Sequence, residues 1–460
     1  MQPFKRQKTA IIREKRLQAI SAYYGTPDAL LAEYADGQLL QRVRTFSQDT
    51  VSDILYALNT ISTLKNVSVI VHGAAGCAVP RYTVTNLNER DSIMGGDAKL
   101  REAIRQVHKI ENPQLVFVIS TPVVAINNDD IESVAEELKD ELGIPIVPVY
   151  TDGFRSKTGI TGCDALIHAV IKHVLPLKQE EKQDFANLIA LSEKDEDIQE
   201  IVRLLKQAGI TANLFPRHSS VEHIRQLTKA AFSVAANPDE GNYAASVLED
   251  SYDIPFIRTS IPVGIANTEA WITRIGCFTG QRQQAGELIR AEKENLNAWI
   301  EKHPSAKQKV ALDMPPALAF GVADLLNELG HEVIGLKLSF MDISHIPQIE
   351  KIRERTPDFH LLIGDGQLFE EENRMKKLRC GLYIGNGGDY SAAIRNGIPA
   401  INLENVPVFG FKGVLNLAKK INRTLSNPSF VRSLAQTNAQ PYTDAWLRKS
   451  PNWYIKQEVK

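Results

Sequence analysis

The sequence predicts an α/β protein of three Rossmann-like, doubly wound parallel-sheet domains preceded by an N-terminal helical arm. Three observations carry that prediction. Short β-branched runs such as VSVIVHG (Val67–Gly73) and LVFVIS (Leu115–Ser120) are apolar at successive positions, as suits strands covered by helices on both faces. Between such runs lie AKLREAIRQVHKI and DDIESVAEELKDEL, with apolar residues three and four apart, the spacing of an amphipathic helix. The alternation recurs in three blocks along 460 residues, a length that at ~100–200 residues per domain accommodates several domains.

Taken in order, residues 1–60 form the arm. It opens on MQPFKRQKTAIIREKRLQAI, which is basic but lacks the continuous apolar stretch of a signal peptide. The first domain, 61–195, holds VSVIVHG, LVFVIS and IPIVPVY (Ile144–Tyr150). The second, 196–305, holds ITANLFP (Ile210–Pro216), AFSVAA (Ala231–Ala236) and IPFIRT (Ile254–Thr259). The third, 306–460, holds KVALDM, EVIGLKL, FHLLIGDG, GLYIGNGG and PAINLE. The charged segments LSEKDEDIQEIVRLLKQAG and RAEKENLNAWIEKHPSAKQ mark the boundaries, and their charge runs read as solvated helix faces.

Composition narrows the function. Lys and Arg number 53 against 55 Asp and Glu, a net charge of −2, so no basic field exists to hold nucleic acid or an anionic membrane. No run reaches the ~20 apolar residues that span a bilayer. Four cysteines without a CxxC pair do not form a secreted disulfide framework, and a reducing cytoplasm is the expected compartment. GxxxxGK[ST], HExxH and GxSxG are all absent. GNGGDY (Gly385–Tyr390) departs from GxGxxG and reads as a plain strand-to-helix turn. His72, His218 and His345 stand apart in sequence and read as capping or surface residues. Asp129 and Asp130 directly precede a helix and read as caps of its free amides.

In doubly wound sheets ligands collect at the carboxyl ends of strands, so the turns there carry the chemistry. HGAAGC (His72–Cys77) is the first such turn. Taken alone it reads as a tight glycine turn at Gly73 and Gly76, with Cys77 a small buried hydrophobe.

Four stretches change that reading in combination. HGAAGCA, TNLNERDSIMGGDAKLREAI, ISTPVVAINNDDIESVAEEL and IPIVPVYTDGF, in this order, resemble the first domain of the nitrogenase component 1 superfamily, whose motifs run approximately HGxxGC, TDxxExDxxFGGxxKL and STCxxxxxGDDI. That superfamily includes the catalytic subunits NifD and NifK, the scaffold subunits NifE and NifN, and nitrogenase-like reductases. YIGNGGDYSAAIRNGIPAINLE and VFGFKGVLNLAKKI resemble its closing segments. The likeness covers most of the chain and is strongest over 65–165 and 380–420.

The resemblance implies that Gly73, Gly76 and Cys77 face an iron–sulfur cluster, [4Fe–4S] or P-cluster-like, at the interface with a homologous subunit, with Cys77 as a thiolate ligand. Cys163 is a reserve candidate ligand, and Cys277 and Cys380 are expected in the core. Catalytic subunits typically give three cysteines, but here the second position falls near Tyr82 and the third at Pro122, so the partner would supply the rest. The active-site cofactor is held in α-type subunits by a middle-domain cysteine and a histidine near the C-terminus. The first position falls around Ala235 here, and no histidine follows His360. The implied protein is a β-type or N-type subunit. As a β-type subunit it would relay electrons from an ATP-dependent iron–sulfur protein, where alone ATP binds, through the interfacial cluster to the active site of an α-type partner in an α2β2 assembly. Methylthio-alkane reductase is the first candidate among the reductases. The alternatives are a NifN-type scaffold for cofactor assembly and a cluster-free regulatory or structural paralogue.

Overall fold

The apolar runs pair with one another in three separate sheets. The computed structural model describes residues 20, 23–37, 52–77, 81–151, 158–176, 180–356, 359–364, 368–387, 390–437 and 442–449. The basic N-terminal stretch and residues 388–389 of the GNGGDY turn lie outside the described residues. In chain order the strands are β1 (Tyr23–Gly25), β2 (Val67–His72), β3 (Thr83–Val84), β4 (Leu115–Ser120), β5 (Ile146–Tyr150), β6 (Gln183–Ala190), β7 (Ala212–Pro216), β8 (Ala230–Ala235), β9 (Lys309–Asp313), β10 (Glu332–Leu338), β11 (His360–Ile363), β12 (Leu382–Gly385) and β13 (Ala400–Asn402). They form a 4-stranded sheet β3-β2-β4-β5, a 3-stranded sheet β7-β6-β8 and a 6-stranded sheet β1-β11-β10-β9-β12-β13.

Among the described strands all pairings are parallel except β1 with β11. Parallel strands joined by helical crossovers must bury both faces, and the side-chain period of two divides each strand between them. In the first sheet Val116 and Val118 pack with Leu100, Ile104, Val134 and Leu138 of the helices Asp97–Glu111 and Ile131–Leu142. Leu115, Phe117 and Ile119 point the other way, onto Leu58, Ile61, Leu166 and Val170 of the helices Asp53–Ile61 and Thr161–Val174.

The architecture departs from the sequence reading in four places. The arm is not purely helical: after residue 20, β1 extends the third domain's sheet as an antiparallel edge, and the helix Asp53–Ile61 packs into the first domain. The central strand of the middle sheet, β6, lies on the N-terminal side of the expected boundary at 195/196. Its opening residues Gln183 and Asp184 are exposed and only its second half is buried, so it lacks the run of apolar residues that marks the other strands. IPFIRT contributes a single bridge, Phe256 to Ser233.

The fourth departure is the charge run around residue 197. Asp197 and Glu200 on the helix Asp195–Gln207 are buried against the third domain rather than solvated. Asp197 Oδ1 accepts the backbone N–H groups of Val408 and Phe409 at 2.7 and 2.9 Å, clamping the middle domain to the segment that leads into the helix Gly410–Leu425. Within that turn Gly413 is required, because a Cβ there would lie 2.0 Å from the carbonyl carbon of Val408. Asp197→Ala leaves two buried donors without an acceptor and is expected to lower stability by ~2–4 kcal/mol, read as a fall in urea midpoint.

Candidate functional site

At the carboxyl edge of the first sheet three segments are tied around one buried histidine. His72 ends β2 with no exposure, and its carbonyl accepts the Thr121 N–H at 3.2 Å and the Thr121 hydroxyl at 2.8 Å. This brings the chain after β4 so close to the chain after β2 that a Cβ on Gly73 would lie 2.5 Å from Thr121 Oγ1. The Gly73 N–H donates to Thr85 Oγ1 at 3.0 Å, and its carbonyl accepts from the Leu87 N–H at 2.9 Å, which fastens the third segment.

The ring of His72 completes the knot. Nδ1 lies 3.0 Å from Thr85 Oγ1, and Nε2 lies 3.1 Å from Asp129 Oδ2, which also accepts the Gly96 N–H at 3.2 Å. Burial pulls the His72 pKa below its usual value, against the charge and hydrogen bond of Asp129, which favour protonation. A neutral ring with its proton on Nε2 donates it to the Asp129 carboxylate. His72 is therefore neither a cap nor a surface residue. Of the two adjacent acids only Asp130 caps the following helix, accepting from the Ser133 N–H at 3.0 Å, while Asp129 turns inward to His72.

Beyond this knot the chain makes a short 3-10 turn, Ala75–Cys77, in which the Cys77 N–H donates to the Ala74 carbonyl at 2.9 Å. The Cys77 thiol is half-buried, and a Cβ on Gly76 would meet no atom within 4 Å. The same edge carries Ile93 at 82 %, Met94 at 76 %, Ile126 at 71 % and Tyr150 at 51 % exposure, on the segments following β3, on those following β4 and at the end of β5. Large apolar side chains are thus left in water at one end of this sheet.

The other expected site residues lie elsewhere. Tyr82 packs beside the core and donates its hydroxyl to the Leu58 carbonyl at 3.4 Å, and Pro122 begins the short helix Pro122–Asn127. Cys163 is buried in the apolar core between two helices, with Sγ 3.8 Å from Thr60 Oγ1. Cys380 is also buried, which pushes its thiol up to about 11. Cys277 is not a core thiol; it sits exposed on the helix Ile265–Phe278. Among the described residues no three His, Cys, Asp or Glu side chains stand where they could hold a metal ion.

A second concavity was not legible in the sequence. Where the helix Pro238–Tyr252 leaves β8, a cleft of about 690 Å³ opens between the middle and third domains. Asp239 forms its floor, accepting the Ala317 N–H at 2.8 Å, with Oδ1 2.6 Å from His345 Nε2. His345 does cap locally, its Nδ1 accepting the Asp342 N–H at 3.0 Å, but it is buried. Asp239 and His345 are 106 residues apart, so only the domain packing joins them.

Residues 53–426 match the family described as nitrogenase component 1 type oxidoreductase. The chain belongs to that family. It is 24% identical over 388 residues to the nitrogenase iron-molybdenum cofactor biosynthesis protein NifE of Methanococcus maripaludis, covering 78% of this chain and 79% of that protein. It is 26% identical over 357 residues to the nitrogenase molybdenum-iron protein alpha chain of Methanothermobacter thermautotrophicus, 75% of each. With the nitrogenase iron-iron protein beta chain of Rhodobacter capsulatus it shares 24% over 438 residues, 83% of this chain and 93% of that one. Its fold matches a chain of the solved structure "Nitrogenase Cp1 at pH 6.5" with a TM-score of 0.74 at 16% identity, over 87% of this chain and 96% of that one. Among the described residues no helix is long and apolar enough to cross a membrane.

Two measurements check this geometry. Maleimide labelling of the native protein should modify Cys77 and Cys277, whereas Cys163 and Cys380 react only on unfolding, as resolved by peptide mass spectrometry. The second concerns pH. Burial holds the pKa of His72 and His331 below the usual value and takes His173 to about 4. The unfolded chain then binds more protons than the folded one, so the stability these rings support is complete above ~6.5 and lost as pH falls below it. The urea midpoint should drop between about pH 7.5 and 5.5, and His72→Asn, which cannot be protonated there, should flatten the drop.

Proposed function

We propose that this chain is the β-type subunit of a nitrogenase-like two-component reductase, and that it gives one thiolate, Cys77, to an iron–sulfur cluster shared with a homologous α-type subunit. The observation that carries the reading is the half-buried Cys77 thiol on an open glycine turn, at the edge that also bears exposed Ile93, Met94 and Ile126. A soft thiolate suits iron, and such clusters are commonly held by four cysteines. This chain offers one at that edge, so the remaining ligands come from across the interface.

A shared cluster supplies one-electron chemistry between an ATP-dependent iron–sulfur protein and an active site in the partner. The residues of this chain prepare for it. His72, Thr85 and Asp129 hold the root of the turn, Gly76 leaves space on its outer side, and the apolar side chains keep water from the covered edge. The cleft supports placing the active site in the partner, since no cysteine lines it and its histidine is engaged by Asp239. A scaffold role in cofactor assembly is the second reading, favoured by the similarity to NifE of Methanococcus maripaludis.

Two outcomes test the proposal. Obligate interfaces bury ~2,000–5,000 Å², so the chain expressed alone should self-associate, and with its sister subunit it should form a stable hetero-oligomer. A monodisperse monomer indifferent to the sister would contradict the reading. In the co-purified assembly Cys77→Ala should lower iron content or alter the electron paramagnetic resonance signal, while Cys277→Ala and Cys380→Ala leave both unchanged. Iron loss with Cys163→Ala but not with Cys77→Ala would move the ligand to the core thiol. Full iron content with an unaltered spectrum after Cys77→Ala would reduce that residue to a small side chain in a turn.

A further inference from the structure

The cleft between the middle and third domains lies beyond β8, where the family resemblance places the metal cofactor of an α-type chain, and its residues do not fit one. No cysteine lines it. Its histidine, His345, has both ring nitrogens engaged, Nε2 by Asp239 at 2.6 Å and Nδ1 by the Asp342 N–H at 3.0 Å. Its volume of about 690 Å³ nevertheless falls in the ~300–1,000 Å³ range of pockets that hold small organic molecules.

The polar groups of the lining divide sharply into engaged and unengaged sets. Every lining carboxylate is engaged within the chain. Asp239 holds His345 and the Ala317 N–H, Asp324 holds Lys351 and Arg355 at 2.8 Å each, Asp342 accepts from the Ser344 N–H at 3.2 Å, and Asp164 is buried and also not free. Two of the three lining cations are likewise held, Lys351 by Asp324 and Arg258 by Glu249 at 2.7 Å. Arg274 is the exception: it lines the cleft, is exposed, and has no partner among the described residues. Gln348 Oε1 is buried at the same cleft with no hydrogen-bond donor. The side chains of Asn242, Ser246, Ser260 and Ser344 also have no hydrogen-bond partner among the described residues.

What remains uncommitted is thus one guanidinium, two amides and several hydroxyls, with no carboxylate among them. A guanidinium presents a planar fork that matches a carboxylate or phosphate, and a buried amide oxygen without a donor requires one from the occupant. The geometry points to this cleft as the binding site of a small organic anion, carboxylate- or phosphate-headed, that also carries hydrogen-bond donors. Arg274 binds the anionic head and Gln348 Oε1 accepts from a hydroxyl or amine of the same molecule. This site rests on the lining of the cleft and is independent of the cluster reading at Cys77.

Isothermal titration calorimetry of the full chain, in the oligomeric form in which it purifies, tests it with malate, 3-phosphoglycerate and inorganic phosphate. The expected result is saturable binding of malate or 3-phosphoglycerate at one site per chain. Which of the two binds decides the head group. Arg274→Gln should weaken that binding at least tenfold, and Gln348→Leu several-fold. Arg274 is exposed and unpartnered, so its replacement should leave the melting temperature unchanged, and Arg105→Gln on the first domain's surface serves as the control that leaves binding intact. Absence of saturable binding by both organic anions would overturn the proposal. So would binding undiminished in Arg274→Gln, or inorganic phosphate binding as tightly as the organic anions. Iron content should not respond to Arg274→Gln, which separates failure here from failure at Cys77.

Discussion

Parallel strands that bury both faces leave the chain few places to expose chemistry. Leu115–Ser120 is buried at every position, and the helices that cover it occupy both sides of the sheet. Functional groups are therefore driven to the carboxyl edges, where each strand must turn into its helix and where neighbouring turns approach one another. At the first sheet this approach is close enough that Gly73 has no room for a side chain against Thr121. The cysteine turn is held by that contact and by the buried ring of His72, and it is presented outward rather than packed.

The same constraint separates Cys77 from the two buried thiols. Cys163, on the helix Thr161–Val174, and Cys380, just before β12, pack into apolar clusters, and burial suppresses thiolate formation at Cys380. Cys77 lies past the end of its strand, beside the sheet rather than under a helix. Its thiol is half-buried, at an edge that also bears exposed Ile93, Met94 and Ile126. The fold itself matches a chain of the solved structure "Nitrogenase Cp1 at pH 6.5" at 16% identity.

Long-range polar pairs organise the remaining interfaces. Asp197 joins the middle domain to the backbone at Val408 and Phe409, and Asp239 joins it to Ala317 and His345. Buried carboxylates held by backbone N–H groups fix the spacing between domains, because the loss of either partner would strand a buried polar group. The cleft is the space left between them, and its shape belongs to the domain arrangement rather than to any single element.

The sequence by itself determined the fold class, most strands and the turn bearing Gly73, Gly76 and Cys77, because continuous apolar runs, helical periodicity and small-residue turns are local properties. It did not reveal β6, whose exposed first residues dilute its apolar signal, or β1, a three-residue edge strand stabilised by its pairing with β11. It also assigned Asp129 to a helix cap and His345 to capping or the surface. Only the tertiary structure decided that Asp129 serves His72, 57 residues away, and that His345 serves Asp239. The physical reason is that sequence periodicity shows which residues are buried, whereas hydrogen-bond partners between distant segments are set by the register of strands and the docking of domains.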